Sequence, residues 1–379
     1  MHIEKTSIPH EGNILGVSII GDHTYLLLAH GSIQILACIA QKPTWHIKLP
    51  LDVQSFACNE HALFLGGIQY KDAQRTHSAP LILAIKNTGG LAWSHKGLFS
   101  KEEVWALLAI PNNQLIALYV CPTLEGHRFR FVCFDSNGSV LWEQILENVV
   151  LQSHYCNPKK IAPKLYLYEK TLLCAGAFCL PNATSAVSIF SFDITTGEPK
   201  QHYNAPNRGA IYTQSALSPK GHLAIAWQPF GKQTPNSGIL LFDEKQQCIG
   251  EYKSYLHCWL GMTWYNKSLI ISGKSRDQGD HPSLESIGKE KFFHEFKAHQ
   301  LLGISLLHQN RFFYLNQSKT KNRQLILRDI HSSDPFILDE GENIGKPYHY
   351  TGRLFDVLAY NDGENHSTLL KVYPLEKQH

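Results

Sequence analysis

A short hairpin repeated along the chain constrains the fold more than any other feature of this sequence. Each copy is an apolar strand, a polar turn and a second strand, as in LILAIKNTGGLAWSH, RFVCFDSNGSVLWEQ, SIFSFDITTGEPKQHY and GILLFDEKQQCIGEY. The first strand of each copy alternates apolar residues and ends at Lys86, Asp135, Asp193 or Asp243. Apolar runs of this kind, bounded by Asn, Asp, Thr and Gly, predict antiparallel β-hairpins.

The spacing of the hairpins predicts the architecture. Successive copies are separated by about 41 to 58 residues, which is the length of one four-stranded, WD40-like propeller blade. Two further apolar stretches precede each hairpin, for example EEVWALLAI and QLIALYV before RFVCFD. The sequence therefore predicts an all-β fold, a single β-propeller domain over residues 1–379 with about eight four-stranded blades.

The ends of the chain predict how the propeller closes. The predicted full blades cover residues 13–51, 53–99, 102–146, 159–205, 209–255, 257–300 and 301–343. The last segment, 346–379, holds only three strands, and the leading segment MHIEKTSI supplies a strand that can complete it. Such closure removes an exposed sheet edge. Seven blades is the alternative, if the last segment folds onto its neighbour.

The hairpin pattern of Asp, a turn glycine and a tryptophan resembles the repeat of the pyrroloquinoline-quinone-type propeller superfamily, which includes quinoprotein dehydrogenases and the propeller lipoprotein of bacterial outer-membrane assembly. Asp135, Gly138 and Trp142, together with Asp193 and Gly197, carry the resemblance best. It implies that the turn glycine and the tryptophan dock neighbouring blades. Quinoprotein activity is not expected, because those enzymes resemble longer, exported chains, and the adjacent cysteine pair that many of them carry is missing here.

The charge balance indicates neither a nucleic-acid nor a membrane partner. The 379 residues include 35 Lys and Arg against 32 Asp and Glu, a formal net charge of +3. The N-terminal segment has charges and a proline where a signal peptide needs an uninterrupted apolar run, and no stretch of about 18 consecutive apolar residues occurs. We expect a cytoplasmic protein, or one exported by a route that needs no cleaved signal.

Motifs for catalysis and metal binding are missing from the sequence. The nine cysteines lie mostly within apolar strands and form no C-x-x-C pair, which predicts reduced core thiols. The 21 histidines form neither H-x-H nor H-E-x-x-H, and no G-x-S-x-G, P-loop or dinucleotide fingerprint occurs. We predict no catalytic residue, no metal and no cofactor.

Loop lengths point to one face of the predicted propeller. The loops between second and third strands are long and polar in nearly every blade, whereas the turns on the opposite face are minimal. Long loops repeated on one face of a rigid scaffold are where recognition usually occurs. Drift in loop length without function is the simpler alternative. Clustered positive charge lies in three of these loops, at Lys71, Arg75, Lys274, Arg276, Lys319, Lys321 and Arg323.

Aromatic and ionisable residues also recur near the start of the predicted innermost strands, where a central funnel would open. They are Glu103, Trp105, Arg208, Tyr212, His257, Trp259, His349 and Tyr350. A mixture of this kind is typical of a ligand pocket. The same aromatics also suit simple packing between blades, and the sequence favours that interpretation.

These observations predict a non-enzymatic scaffold that binds another protein through the long-loop face, as a component of a larger assembly. The alternative is an enzyme, a hydrolase or lyase, or a small-ligand binder that uses the central funnel. Nucleic-acid binding through the basic loops is the weakest of the three hypotheses.

Overall fold

The structure is a computed structural model in which every regular element is a β-strand. It describes residues 6–11, 13–20, 23–30, 32–39, 42–70, 78–99, 101–151, 163–179, 187–205, 210–229, 237–254, 256–265, 267–275, 282–288, 293–295, 301–306, 311–317, 323–329, 336–341, 348–351, 355–362 and 367–376. Within these ranges the chain forms two compact units, Met1–Lys48 with Ser254–His379, and Leu49–Lys253.

The unit Leu49–Lys253 contains four antiparallel sheets, numbered 2 to 5 in chain order. Sheet 2 consists of β6 (Asp52–Cys58), β7 (Ala62–Tyr70), β8 (Ser78–Lys86) and β9 (Leu91–Lys96). Sheet 3 consists of β10 (Glu103–Ile110), β11 (Gln114–Pro122), β12 (His127–Phe134), β13 (Val140–Leu151) and a fifth strand, β16 (Phe178–Cys179). Sheet 4 consists of β14 (Lys164–Tyr168), β15 (Thr171–Gly176), β17 (Val187–Asp193) and β18 (Pro199–Ala205). Sheet 5 consists of β19 (Ala210–Leu217), β20 (Leu223–Pro229), β21 (Gly238–Phe242) and β22 (Cys248–Lys253).

The other unit also contains four sheets. Sheet 1 consists of β2 (Asn13–Ile20), β3 (His23–His30), β4 (Ser32–Ile39) and β5 (Lys42–Lys48). Sheet 6 consists of β23 (Leu256–Tyr265), β24 (Ser268–Ser275), β25 (Pro282–Ile287) and β26 (Phe293–Glu295). Sheet 7 consists of β27 (Leu301–Leu306), β28 (Arg311–Gln317), β29 (Arg323–Asp329) and β30 (Phe336–Gly341). Sheet 8 combines β1 (Thr6–Glu11) with β31 (Tyr348–Thr351), β32 (Phe355–Asp362) and β33 (Ser367–Glu376).

The predicted all-β propeller of four-stranded blades is confirmed, and so is its composite blade. Seven of the sheets follow the predicted chain segments in order, while sheet 8 joins the two ends of the chain. In that sheet β1 pairs antiparallel with β33, from Thr6 opposite Val372 to Glu11 opposite Ser367. The prediction that residues 1–379 form a single domain stays a prediction.

The core of the Leu49–Lys253 unit lies between neighbouring sheets. One apolar cluster joins sheets 2 and 3, a second joins sheets 3 and 4, and a third joins sheets 4 and 5. The middle strands are buried on both faces, so β11 is almost continuously apolar instead of alternating, and the six residues of β12 from Phe129 to Phe134 are all buried. Stacking of sheets through their faces is the packing expected of propeller blades.

The docking role implied for glycine and tryptophan is observed directly. Gly138 has a φ of 84°, and a Cβ built on it would lie 2.7 Å from Trp93 of the preceding sheet. The same contact recurs between sheets 3 and 4. Gly197 of sheet 4 has a φ of 74°, and a Cβ built on it would lie 2.5 Å from the Trp142 ring of sheet 3. Only glycine gives both the left-handed backbone and the space for the ring. The indole Nε1 of Trp142 donates to the Ile194 carbonyl at 2.8 Å, which fixes the second contact.

The predicted core cysteines are largely confirmed. The thiols of Cys38, Cys121, Cys133 and Cys174 are buried and free, whereas Cys248 is exposed. Burial raises the pKa of Cys38 to about 11 and that of Cys133 to about 12. These thiols therefore stay protonated at neutral pH and act as small apolar side chains.

Candidate functional site

Two of the predicted funnel residues have described side chains, and they contact each other. Glu103 begins β10, the first strand of sheet 3, and Trp105 lies two residues further along the same strand. The indole Nε1 of Trp105 donates to Glu103 Oε2 at 3.1 Å. The aromatic ring and the carboxylate thus form a local pair on the first strand.

The other predicted site residues are described only in part. Arg208, Arg276, Lys319 and Lys321 lie outside the described residues, as do Lys71 and Arg75. For Tyr212, His257, Trp259, Lys274, His349 and Tyr350 the structure describes the backbone alone, within strands β19, β23, β24 and β31. Arg323 begins β29, where its backbone lies opposite Gln317 and Gly341. A ligand pocket or a binding surface built from these residues stays a prediction.

One of the predicted long loops is fully described, the turn from β11 to β12 in sheet 3. The Thr123 N–H donates to the Gly126 carbonyl at 2.8 Å, so the turn is closed by its own backbone. Leu124 stands at its tip with its side chain fully in solvent, at 106% relative exposure. A large apolar side chain that is fully exposed indicates an interaction surface when other exposed apolar side chains lie at the same end of the sheets.

The connection from sheet 2 to sheet 3 exposes two more apolar side chains at the same end of the sheets. Leu98 is 64% exposed and Phe99 is 37% exposed. Arg128, two residues beyond the β11–β12 turn, places its guanidinium 4.9 Å from the centre of the Phe99 ring. We call Leu98, Phe99 and Leu124 the apolar patch. Charged residues accompany it: Lys101 and Glu125 stand next to it in the sequence, and Arg128 is paired with Glu147.

A buried ion pair lies directly beneath this connection. Arg130 on β12 is 1% exposed and Glu102, just before β10, is 2% exposed. The guanidinium binds the carboxylate through two parallel hydrogen bonds, Nε to Oε1 and Nη2 to Oε2, each 2.7 Å. Glu102 Oε2 also accepts the Leu98 N–H at 3.2 Å. The pair therefore fixes the backbone that presents the patch.

Further groups surround Arg130 on its other sides. Its guanidinium lies 4.2 Å from the centre of the Tyr119 ring, and Nη1 donates to Glu143 Oε2 at 3.4 Å. Burial opposes the charge of Arg130, yet the hydrogen bonds and charge of Glu102 keep its pKa above the usual value. Burial raises the pKa of Tyr119 well above the usual range of a phenol. Arg130 thus stays charged beside a neutral phenol.

His95 of sheet 2 completes the surroundings of the ion pair. Its ring centre lies 4.7 Å from that of Phe134 and 6.5 Å from that of Tyr119. Burial lowers the pKa of His95, and the charge of Arg130 lowers it further, although Glu102 and Glu143 act in the opposite direction. These effects favour the neutral imidazole beside the Arg130 cation.

The buried pair was not predicted from the sequence, although one signal was present. The strand RFRFVCF places Arg130 among residues that face the core, where an arginine needs a buried partner. Nothing local indicates that this partner is Glu102, 28 residues earlier, because the two meet only when the strands of sheet 3 assemble.

The described residues include neither a grouped set of metal-ligating side chains nor a membrane-spanning helix. Among the described residues, no three His, Cys, Asp or Glu side chains are grouped so that they could hold a metal ion. Across the same ranges, no helix is long and apolar enough to span a membrane.

Comparisons with known proteins show the fold. No protein-family model matches the chain, and no curated protein matches it either. A quinohemoprotein alcohol dehydrogenase from Pseudomonas putida HK5 is similar over 98% of this chain and 76% of its own, at 9% identity and a TM-score of 0.62. A europium-containing methanol dehydrogenase matches 96% of this chain and 91% of its own, at 11% identity and a TM-score of 0.59.

The likeness extends to a propeller of another kind. The WD40 domain of SCAP from fission yeast is similar over 98% of this chain and 94% of its own, at 8% identity and a TM-score of 0.58. The chain is thus a β-propeller. Its resemblance to the quinoprotein-type repeat is confirmed at the level of fold, and identities this low show the fold alone.

Proposed function

We propose that this protein is a non-enzymatic scaffold that binds another protein through the long-loop face of its blades, as part of a larger assembly. The observation that carries the proposal is the apolar patch. Leu98, Phe99 and Leu124 are exposed at one end of sheets 2 and 3, in the described part of the face that the loop lengths indicated. An apolar centre with a charged border is the usual composition of a protein-binding surface.

Rigidity beneath the patch supports the same function. The Glu102 carboxylate holds the Leu98 backbone and is itself fixed by Arg130. Arg128 packs on the Phe99 ring while its Nε donates to Glu147 Oε1 at 2.8 Å. A surface already held in its binding geometry loses little conformational entropy when a partner docks, and this favours binding.

The border of the patch indicates the kind of partner. Lys101 and Arg128 are balanced by Glu125 and Glu147, so the surface has no strong net charge. We therefore propose a partner that inserts apolar side chains between the loops, in preference to a nucleic acid or a strongly acidic surface. The WD40 domain of SCAP shares this fold, and the cytoplasmic location expected from the sequence is part of the proposal.

The test is recovery of the tagged protein from the cells that produce it, with mass spectrometry of what co-purifies. The variant Leu98→Ser/Leu124→Ser replaces the two most exposed residues of the patch without changing the ion pair. Leu91→Ser/Ile249→Ser is the matched control, because these residues are 60% and 58% exposed on the outer strands β9 and β22. We expect a partner whose recovery falls about tenfold or more in the patch variant and stays unchanged in the control. The same proteins at the same yield from both variants, or none from the wild type, would overturn the proposal.

A further inference from the structure

Lys164 occupies an unusual place on the first strand of sheet 4. It is the first residue of β14 and is exposed. Its ammonium nevertheless reaches sideways to β19, the first strand of sheet 5. There Nζ donates to Gln214 Oε1 at 3.2 Å and to the Ser215 carbonyl at 3.3 Å. The cation is thus held at a fixed point where two first strands meet.

The charge of Lys164 is not neutralised by the described part of the chain. An ammonium group has three N–H donors, and two of them go to uncharged oxygens. No described carboxylate forms an ion pair with Nζ. Surrounding protein atoms lower the pKa of Lys164 by desolvation. A partly desolvated cation with only neutral partners is stabilised by any anion that can reach it.

A second side chain of β14 forms hydrogen bonds to the same part of β19. Tyr166, two residues along β14, places its hydroxyl 2.7 Å from the Ser215 carbonyl and 2.8 Å from Ser215 Oγ. Burial raises the pKa of Tyr166 to about 12, so the phenol remains a neutral partner at physiological pH. Two side chains of β14 therefore converge on Ser215 of β19.

We propose that Lys164 is the anchor of a binding site for a small anion, a free carboxylate or phosphate, where the first strands of sheets 4 and 5 meet. Ammonium donors favour such groups because the hydrogen bond is then charge-assisted on both sides. The two hydrogen bonds to β19 hold the ammonium group against the strands, so it does not project from a loop. This position suits a small ion better than the surface of a second protein. The site does not depend on the apolar patch or on the scaffold function.

The first experiment is lysine footprinting on the full-length protein. A limiting amount of an acetylating reagent is applied in chloride, inorganic phosphate or malonate at equal ionic strength, and each lysine is quantified by mass spectrometry. Lys170, exposed at the end of the β14–β15 turn, is the internal control. We expect phosphate or malonate at about 10 mM, enough to fill a millimolar site, to reduce acetylation of Lys164 about threefold or more and to leave Lys170 unchanged. The two anions separate a phosphate site from a carboxylate site. Equal protection of both lysines, or none, would overturn the proposal.

The second experiment is calorimetric titration of the same anions into Lys164→Arg and Lys164→Met. The arginine variant keeps the charge, and the methionine variant keeps most of the volume without it. Binding retained by the first and lost by the second, with both variants folded by circular dichroism, supports the site. Binding by Lys164→Met at wild-type strength would contradict it, whichever anion is used.

Discussion

At the scale of the residue, Arg130 and Glu102 show how a charge can occupy the interior of an apolar sheet. Removing two charges from water is expensive, and their attraction repays this only with good geometry and further hydrogen bonds. Both conditions hold, because the pair is bidentate and the Leu98 N–H and Glu143 supply the remaining bonds. The pair therefore specifies the position of the connection to sheet 3 more than it adds to stability.

Breaking this pair from one side should destabilise the protein strongly. Glu102→Gln leaves the guanidinium of Arg130 charged and buried without its carboxylate, so we expect the free energy of unfolding to fall by about 3–5 kcal/mol. Chemical denaturation followed by tryptophan fluorescence measures it. The double variant Glu102→Met/Arg130→Met should lose less than the single variant, since no uncompensated charge remains. A loss below about 1 kcal/mol for Glu102→Gln would contradict the interpretation.

His95 should make the protein sensitive to mild acid. Its pKa is lowered from 6.5 in the folded state, so the unfolded chain takes up the proton more readily. The stabilisation is present above the ordinary pKa of histidine and is lost as the pH falls through 6.5 and below. We expect His95→Gln to show a smaller decrease in the free energy of unfolding between about pH 7 and pH 5. An identical pH dependence in both proteins would exclude this role.

At the scale of the element, the hairpins were predictable because their determinants are local. Asp135 Oδ1 accepts the N–H groups of Asn137 and Ser139, each at 2.8 Å. Asp243 Oδ1 accepts those of Lys245 and Gln247 at 3.0 and 2.8 Å in the same way. Because each Asp side chain binds backbone N–H groups no more than four residues away, the turn can be predicted from a single sequence.

Elements that depend on distant partners were not predictable. The strand β16 adds to the outer edge of sheet 3 by pairing Cys179 with Val150 and Phe178 with Leu151. In the sequence it is only the end of the apolar run TLLCAGAFCL. The apolar patch was missed for a similar reason, because Leu98 and Leu124 lie at the same end of two neighbouring sheets only when sheets 2 and 3 pack. Most of the long loops on which the binding prediction rested lie outside the described residues.

Replacing the turn glycines with alanine tests how the sheets dock. Gly138→Ala and Gly197→Ala each force a non-glycine residue into a positive φ and press a methyl group against an indole ring. We expect each to lower the free energy of unfolding by about 1–3 kcal/mol. Gly90→Ala is the matched control, since nothing lies within 4 Å of its added Cβ, and it should change stability by less than about 0.5 kcal/mol. Equal effects at Gly138 and Gly90, by thermal or chemical denaturation, would show that docking on Trp93 is unimportant.

At the scale of the whole molecule, both ends of the chain belong to one sheet. The sequence predicts this arrangement, because three strands in segment 346–379 and one strand in the leading segment each lack a complete blade. The β1–β33 pairing covers six residue pairs. The pairing satisfies the backbone N–H and C=O groups along the shared edge of β1 and β33. This limits association between sheet edges.

Removing residues 1–11 should therefore expose an edge of β33. We expect the truncated protein to melt at a lower temperature and to form larger species in size-exclusion chromatography, because the free ladder can pair with another chain. A synthetic peptide of residues 1–13, supplied in excess, should reverse both effects. Removal of residues 377–379, which follow β33, is the control. A truncated protein that elutes and melts like the full chain would show that the pairing contributes little.

The composite sheet also has a consequence for biosynthesis. The strand β1 (Thr6–Glu11) leaves the ribosome long before its partner β33 (Ser367–Glu376). At about 5–20 residues per second, β1 waits roughly 20–70 s for the strand that completes its sheet. Every other sheet can pair soon after its own strands are translated. Completion of this sheet is thus tied to the translation of β33, and during that interval the nascent chain carries an unpaired strand that chaperones are well placed to shield.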